Sequence, residues 1–586
     1  MNSGSEPVRG GQIGGGRKER DRSAIAGASR RCSCKQEKAR LDCSTRAFSP
    51  SPHVLAPVRR TAHPAKTRDL PEKVTLHCTQ SGLAGRSGLV TLSRFDRPEP
   101  QSGMFSTLDQ LTADARSPFD LVILGAGPAG ITLALEVARR QPGWRILLAE
   151  AGGFEPPTPA ERDAYEGEST GAPYSLLATR LRYFGGTSGH WGGWCRPLDR
   201  IDFEARPNAR TVGWPISHDS LAAYYEAAAR QVELSSNDFG TEAIREQHPG
   251  RLIEWGDAGL FRNQLFRFSP PTRFGKRYRD AVSESAVTAV LGATATDYLW
   301  NGNRVTGVML KSADGGGRQI AAKRVVLAMG GIESSRHLLL MQRQQASVAG
   351  LSSHWNGVGF ADHFGVRPGA LWLTAGLGYH RHENDSGPHM AVISPAEAAL
   401  RERDWNNSCM LLEATGRSEA PVPQNYVMNR GLGFSGRDMW LYDVQMIAEP
   451  RPGPDSRISL AESVDSFGLP RTHINWQVDT RDVDSAKAQF AELCLEVGRL
   501  GIGRGRMDPV DASAVVASPT PACHHMGTAR MSVSAADGVV DEQLRVHGSD
   551  NLYVLSSAVF PCFGFSNPTL TICALAFRLA EHLEAA

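Results

Sequence analysis

At 586 residues the chain exceeds what one hydrophobic core organises, so two structural domains with appendages are expected. Its 64 Lys and Arg balance 62 Asp and Glu, and the formal net charge of +2 excludes a general attraction to nucleic acid or to anionic membranes. No apolar run approaches the roughly 20 residues that span a bilayer, no export leader follows Met1 or Met104, and the ten cysteines lie outside any C-x-x-C, zinc or haem spacing. The expected setting is cytoplasmic, with no membrane span, no disulfide framework and no bound metal.

Residues 1–103 are rich in Arg, Ser, Gly and Pro without helical or strand periodicity, and are expected to be disordered or a non-native extension, with Met104 as the natural start. Leu121 to Leu124 then reads as a strand, followed by a glycine turn, an amphipathic helix to about Arg140 and a second strand from Arg145 to Glu150. Alternation recurs from Val287 to Leu310, and Arg324 to Ala328 reads as a buried strand. Turn-rich segments between 366 and 519, such as Met439 to Met446, predict an antiparallel sheet. Asn551 to Leu555 reads as another short buried strand, and Pro568 to about Leu583 as a helix with proline in its first turn.

The first chemical motif is Gly125-Ala-Gly-Pro-Ala-Gly130, a G-x-G-x-x-G that follows a strand and opens a helix. Gly125 permits the tight turn, Gly127 admits a pyrophosphate, and Gly130 lets helix and strand pack, with Pro128 and Ala129 at the helix start. Glu150 ends the next strand, where its carboxylate can accept hydrogen bonds from a ribose and disfavours a 2′-phosphate. This motif alone leaves FAD and NAD both open. The second cluster, Tyr183 to Gly193, is too rich in glycine for a helix or strand and too aromatic for a linker. Gly185, Gly186, Thr187, His190, Trp191 and Gly192 therefore read as backbone and rings brought close to a flat partner.

The fingerprint followed by G-G-T-S-x-H-W resembles the glucose-methanol-choline (GMC) oxidoreductases, particularly their pyranose-oxidase and sugar-dehydrogenase branch. The resemblance implies FAD. It places His190 where that branch can join a histidine to the flavin 8α-methyl, the alternative being a histidine that packs over the ring without a bond. Thr520 to Thr528 and Gly564 to Thr571 resemble the family's paired active-site motifs, which selects His524 over His525 and adds Asn567. Without the second motif, a His-His pair would read as structural or as a loose metal site, and no third ligand stands at a supportive spacing. A neutral imidazole suits removal of an alcohol proton as hydride leaves for flavin N5, and Asn567 can hold the substrate oxygen without competing as a base. The helix beginning at Pro568 and Thr569 would point its positive end at the flavin N1 and C2 carbonyl.

Val326 to Ser335 resembles a further turn near FAD, contributing Ala328 and Gly330. Gly357 to His363 resembles a G-x-x-x-x-D-H stretch, read as a polar hinge in preference to a second acid-base pair of Asp362 and His363. In Asn551 to Ala558, Ser556 stands where the family usually has an aspartate against the ribityl chain.

The expected fold is α/β: a discontinuous Rossmann-like FAD-binding domain from 104–210, 275–365 and 520–586, a helical or lid segment at 211–274, and an inserted antiparallel substrate domain at 366–519. The expected activity is oxidation of an alcohol on a sugar, cyclitol, aminoglycoside or similar polyol to a carbonyl. Electrons would pass to oxygen, a quinone, or a separate cytochrome or carrier protein. The rivals are a non-redox flavoprotein lyase of the same fold and a catalytically silent FAD-binding subunit.

Overall fold

A computed structural model describes residues 105–111, 117–158, 161–207, 211–247, 250–256, 259–417 and 439–585. The expectation for 1–103 lies outside them. The core of the nucleotide half is a six-stranded parallel sheet. Its order across the sheet is Phe105–Thr107, Val287–Leu291, Ile146–Ala149, Leu121–Leu124, Val325–Leu327 and Leu552–Val554. Leu121 to Leu124 are buried without exception, as a strand covered on both faces requires, and each such side chain contributes roughly 1.5–3 kcal/mol on burial. The helix Pro128–Arg140 packs on this sheet and on the C-terminal helix Pro568–Ala585, which also meets the helix His218–Gln231.

Strand order reverses at Leu121–Leu124: the chain goes to Ile146–Ala149 on one side, and Val325–Leu327 lies on the other. A crevice therefore opens beyond the carboxyl ends of these strands, the place where such sheets bind ligands. Gly125, Glu150, Ala328 and Ser556 each stand within two residues after a strand that ends there.

A second, antiparallel sheet runs from Gly503–Met507 through Phe364–Leu373, Trp440–Ala448, Ser408–Arg417, His389–Pro395 and Phe261–Phe268 to Trp194–Cys195. The helix Thr480–Arg499 buries Val483, Phe490, Leu493 and Val497 against one face. On the other face Phe266, Phe268, Cys409, Leu411 and Ile447 gather around Phe565, two residues before Asn567. The segment 211–274 divides: its first helix joins the nucleotide half, while Phe261–Phe268 is an inner strand of the antiparallel sheet. The strand Gly167–Gly171 likewise pairs in parallel with Pro470–Trp476. The two halves thus exchange strands at several places.

Candidate active site

The glycine fingerprint is shaped by contacts that only glycine tolerates. Gly125 has φ 101°, and a Cβ there would lie 2.6 Å from the Ala328 carbonyl oxygen, so the first and third glycine turns abut. A Cβ on Gly130 would stand 1.9 Å from the Gly125 oxygen. At Gly127, by contrast, a Cβ would meet nothing within 4 Å, and the same holds at Gly330, φ 74°. Gly186, φ 54°, packs its backbone on Gly127, and Gly185, φ 102°, sits against Gly275. The Gly185–Gly186 loop is therefore brought beside the fingerprint.

Glu150 is buried, with Oε2 accepting the Ala126 N–H at 2.8 Å and Oε1 the Gly152 N–H at 2.9 Å, which leaves further lone pairs on both oxygens. Thr187 Oγ1 accepts the Leu181 N–H at 3.3 Å, and Trp191 Nε1 donates to the Thr272 carbonyl at 2.8 Å. Arg273 donates to the carbonyls of Ser188 and Trp191, fixing the loop on both sides of His190. His190 is exposed at its edge, yet the crowding around it, and then Arg273, lower its pKa. Ser556 is buried with its Oγ accepting the Ala558 N–H, so that contact is made within its own turn. Pro568 and Thr569 begin the C-terminal helix directly after Asn567.

The catalytic candidates meet from three distant stretches. His524 Nε2 lies 3.0 Å from Asn567 Nδ2, and His524 Nδ1 lies 2.8 Å from His363 Nδ1. His363 Nε2 in turn lies 2.8 Å from the Gly564 carbonyl oxygen. The adjacent Asp362 holds the same histidine by its backbone: Oδ1 accepts the His524 N–H at 2.8 Å, and Oδ2 accepts the Cys523 N–H at 3.0 Å and the Tyr174 hydroxyl at 2.8 Å. Cys523 has φ 63°, a left-handed conformation that turns two successive N–H groups toward one carboxylate.

Burial pushes Asp362 up to about 6 against those hydrogen bonds, and pushes His363 down to about 4. His524 is held well below the usual histidine range, first by burial and then by His363 and His525. The environment therefore favours its neutral form. His525 packs on Phe360 and Tyr174, its pKa pushed down to about 3, with Nε2 buried and without a partner.

Asp362 and His363 thus both hydrogen-bond His524, a contact that a polar hinge alone does not require. The signal was the D-H pair itself. Tyr174 and His525 were not anticipated as parts of the site. Among the described residues no group of three or more His, Cys, Asp or Glu is arranged to hold a metal, and no helix is long and apolar enough to cross a membrane.

A dinucleotide fits these residues. The open side of Gly127 at a helix start suits a pyrophosphate, Glu150 retains acceptor capacity for a ribose, and the orphaned His525 Nε2 offers a polar contact deeper in. A family model described as FAD dependent oxidoreductase matches residues 120–350, and one described as GMC oxidoreductase matches residues 452–576. The chain thus carries an FAD dependent oxidoreductase domain followed by a C-terminal GMC oxidoreductase domain. Its family-model matches and its relatives make the protein an FAD-dependent oxidoreductase of alcohols.

It is 23% identical to 2-methyl-1,2-propanediol dehydrogenase of Mycolicibacterium austroafricanum, over 79% of this chain and 95% of that protein. It is 24% identical to paromamine 6'-oxidase of Streptomyces fradiae, over 80% of this chain and 92% of that one. Formate oxidase of Aspergillus oryzae shares the fold, with a TM-score of 0.50 at 19% identity over 80% of this chain and 98% of that structure.

Proposed function

We propose that the protein oxidises an alcohol carbon of a polyol, sugar, cyclitol or aminoglycoside to a carbonyl, with His524 as base and Asn567 as the group that holds the substrate oxygen. The observation that carries this reading is the 3.0 Å pairing of His524 Nε2 with Asn567 Nδ2 at the start of the C-terminal helix. A substrate hydroxyl placed between them donates its proton to Nε2 and accepts from the Asn567 amide, which aligns the carbinol carbon. FAD, when bound, supplies the two-electron acceptor. Gly125, Gly127, Gly130, Glu150, the 185–192 loop, Ala328 and Gly330 are the residues that would hold it.

The substrate class is supported by the two relatives named for a propanediol and for paromamine. The nucleotide half, 104–210, 275–365 and 520–586, would bind FAD. The antiparallel sheet of 366–519, extended by Phe261–Phe268, would close over the substrate. The electron acceptor is oxygen, a quinone or a separate carrier protein. The buried free thiols of Cys195, Cys409, Cys562 and Cys573 suit a reducing cytoplasm.

The test is anaerobic flavin reduction across a panel of diols, sugars and aminoglycosides, with His524→Ala beside the parent. Loss of at least about 10²-fold in the reduction rate is expected. An unchanged rate in the variant refutes the base assignment, and a substrate turned over without bleaching the flavin points to a lyase. Retention of yellow colour in an acid-precipitated pellet is the outcome expected if His190 carries the flavin covalently; a colourless pellet excludes the bond.

A further inference from the structure

We propose that His363 is a positioning residue that fixes the tautomer of His524, keeping the proton on Nδ1 and the lone pair on Nε2, where the substrate hydroxyl arrives. The inference rests on the reading of His524 as base and explains how that base is kept ready.

The protons are assigned from one end of a chain of contacts. The Gly564 carbonyl can only accept, so His363 Nε2, 2.8 Å away, carries a hydrogen. A neutral His363 then has a bare Nδ1. The two Nδ1 atoms lie 2.8 Å apart, a separation that requires one proton between them, and that proton must belong to His524. His524 Nε2 is consequently bare, and accepts from Asn567 Nδ2–H at 3.0 Å. The directions agree from Asn567 to Gly564 with no donor facing a donor.

His363 is fully buried, and burial depresses its pKa to about 4, which keeps it neutral. A doubly protonated His363 would face a proton on His524 Nδ1 or force it to Nε2, and either spoils the base. The Gly564 carbonyl is itself held, because the Glu449 carboxylate accepts the N–H groups of Phe563 and Gly564 at 3.1 and 3.0 Å.

The choice of imidazole has a chemical consequence. A carboxylate at His524 Nδ1 would also select the Nδ1–H tautomer, but it would add a second negative charge beside that of Asp362, which already accepts the His524 backbone N–H. A neutral acceptor orients the base without that charge. When His524 takes the substrate proton on Nε2, its Nδ1–H still has an acceptor, so the imidazolium is stabilised where it forms.

The experiment uses the FAD-loaded protein labelled with 15N-histidine, in the parent, His363→Leu and His363→Asn. Nitrogen–proton correlation spectra of His524, assigned by its loss in His524→Ala, read the tautomer directly and need no substrate. The parent should show Nδ1–H alone. His363→Leu should show Nε2–H or a mixture, with flavin reduction slowed between about 10² and 10⁴-fold. In His363→Asn the side-chain oxygen can accept from His524 Nδ1–H, so the Nδ1–H form and most of the rate should return. The proposal is overturned if the parent His524 carries its proton on Nε2, if His363→Leu leaves the Nδ1–H form unchanged, or if His363→Asn rescues neither. A His524→Ala variant that reduces its flavin at the parent rate refutes the base assignment instead, while leaving the tautomer spectra to stand or fall separately.

Discussion

The clamp that Asp362 forms on the Cys523 and His524 N–H groups can be tested independently of turnover. Asp362 is fully buried and accepts hydrogen bonds from Tyr174, Cys523 and His524, and burial still lifts it from an ordinary 3.8 to about 6. A shift of about 2 units corresponds to about 3 kcal/mol. Its sign follows from linkage. Because the folded pKa is raised, the native state prefers the protonated form, so stability from this group is full below about pH 4 and is lost as pH rises through about 6. Asp362→Asn cannot titrate. It surrenders one acceptor and sets an amide donor against a backbone N–H, an offset of about 1–3 kcal/mol that does not vary with pH. The stability of the parent minus that of the variant should therefore fall by about 3 kcal/mol between about pH 4 and pH 7. Urea unfolding of the FAD-loaded proteins across that range measures it. Parallel pH profiles for the two proteins would refute the reasoning, whatever their constant separation.

Two glycines of the fingerprint should behave oppositely. Gly127→Ala meets no protein atom within 4 Å, so apoprotein stability should change by no more than about 1 kcal/mol, while FAD affinity falls about ten- to a hundredfold; melting and flavin titration separate the two effects. Gly130→Ala places a methyl 1.9 Å from the Gly125 oxygen and should lower the apoprotein melting temperature itself; an unaltered melt would contradict the packing argument. Cys523→Gly should raise the melting temperature relative to Cys523→Val, since a left-handed φ of 63° costs an L-residue about 1–2 kcal/mol and a β-branched one more; the reverse order would show that the turn is not strained.

The nucleotide half was legible because its signals are local. A continuous apolar run, Leu121 to Leu124, needs cover on both faces, and Gly125 must adopt a positive φ directly after it. Helix starts and stops at Pro128, Arg140 and Pro568 are likewise set by neighbours in sequence. Strand partnership is not local. Nothing within Phe261–Phe268 or Trp194–Cys195 announces that they extend a sheet built mainly from residues after 364, and the segment 211–274 consequently read as a unit of its own. The same limit explains Asp362 and His363. Their pattern is that of a buried polar pair, and only the return of the chain 161 residues later, bringing Cys523 and His524 onto them, turns a hinge into a clamp. The motifs pointed to His524 and Asn567 together, but the orphaned His525 Nε2 becomes visible only once packing has removed its partners.

The contacts on His524 have a foundation in Glu449, where the antiparallel sheet reaches the Gly564 carbonyl that holds His363. Glu449 directly follows the strand Trp440–Ala448, is fully buried, and is held down at about 2 by Arg206 once the penalty of burial is set against it. One carboxylate oxygen accepts from Cys562, Phe563 and Gly564, and the other from Arg206 and the Asn407 N–H. Glu449→Gln keeps the volume but turns an N–H toward donors and leaves Arg206, which is 3% exposed, without its paired carboxylate, the more distant Asp202 being the remaining acidic group that acts on it. Breaking a buried pair in this way costs about 3–5 kcal/mol, whereas Arg206→Met in the same chain removes both charges of the pair, and Asp202, already raised to about 7 by burial, can take up a proton. The single variant should therefore be the less stable of the two. Both should loosen the Gly564 carbonyl and let Nε2–H appear on His524, because the substituted amide no longer anchors two successive N–H groups through one charged oxygen. A single variant as stable as the double, or a His524 tautomer untouched in both, would show that the loop holds its carbonyl without the carboxylate.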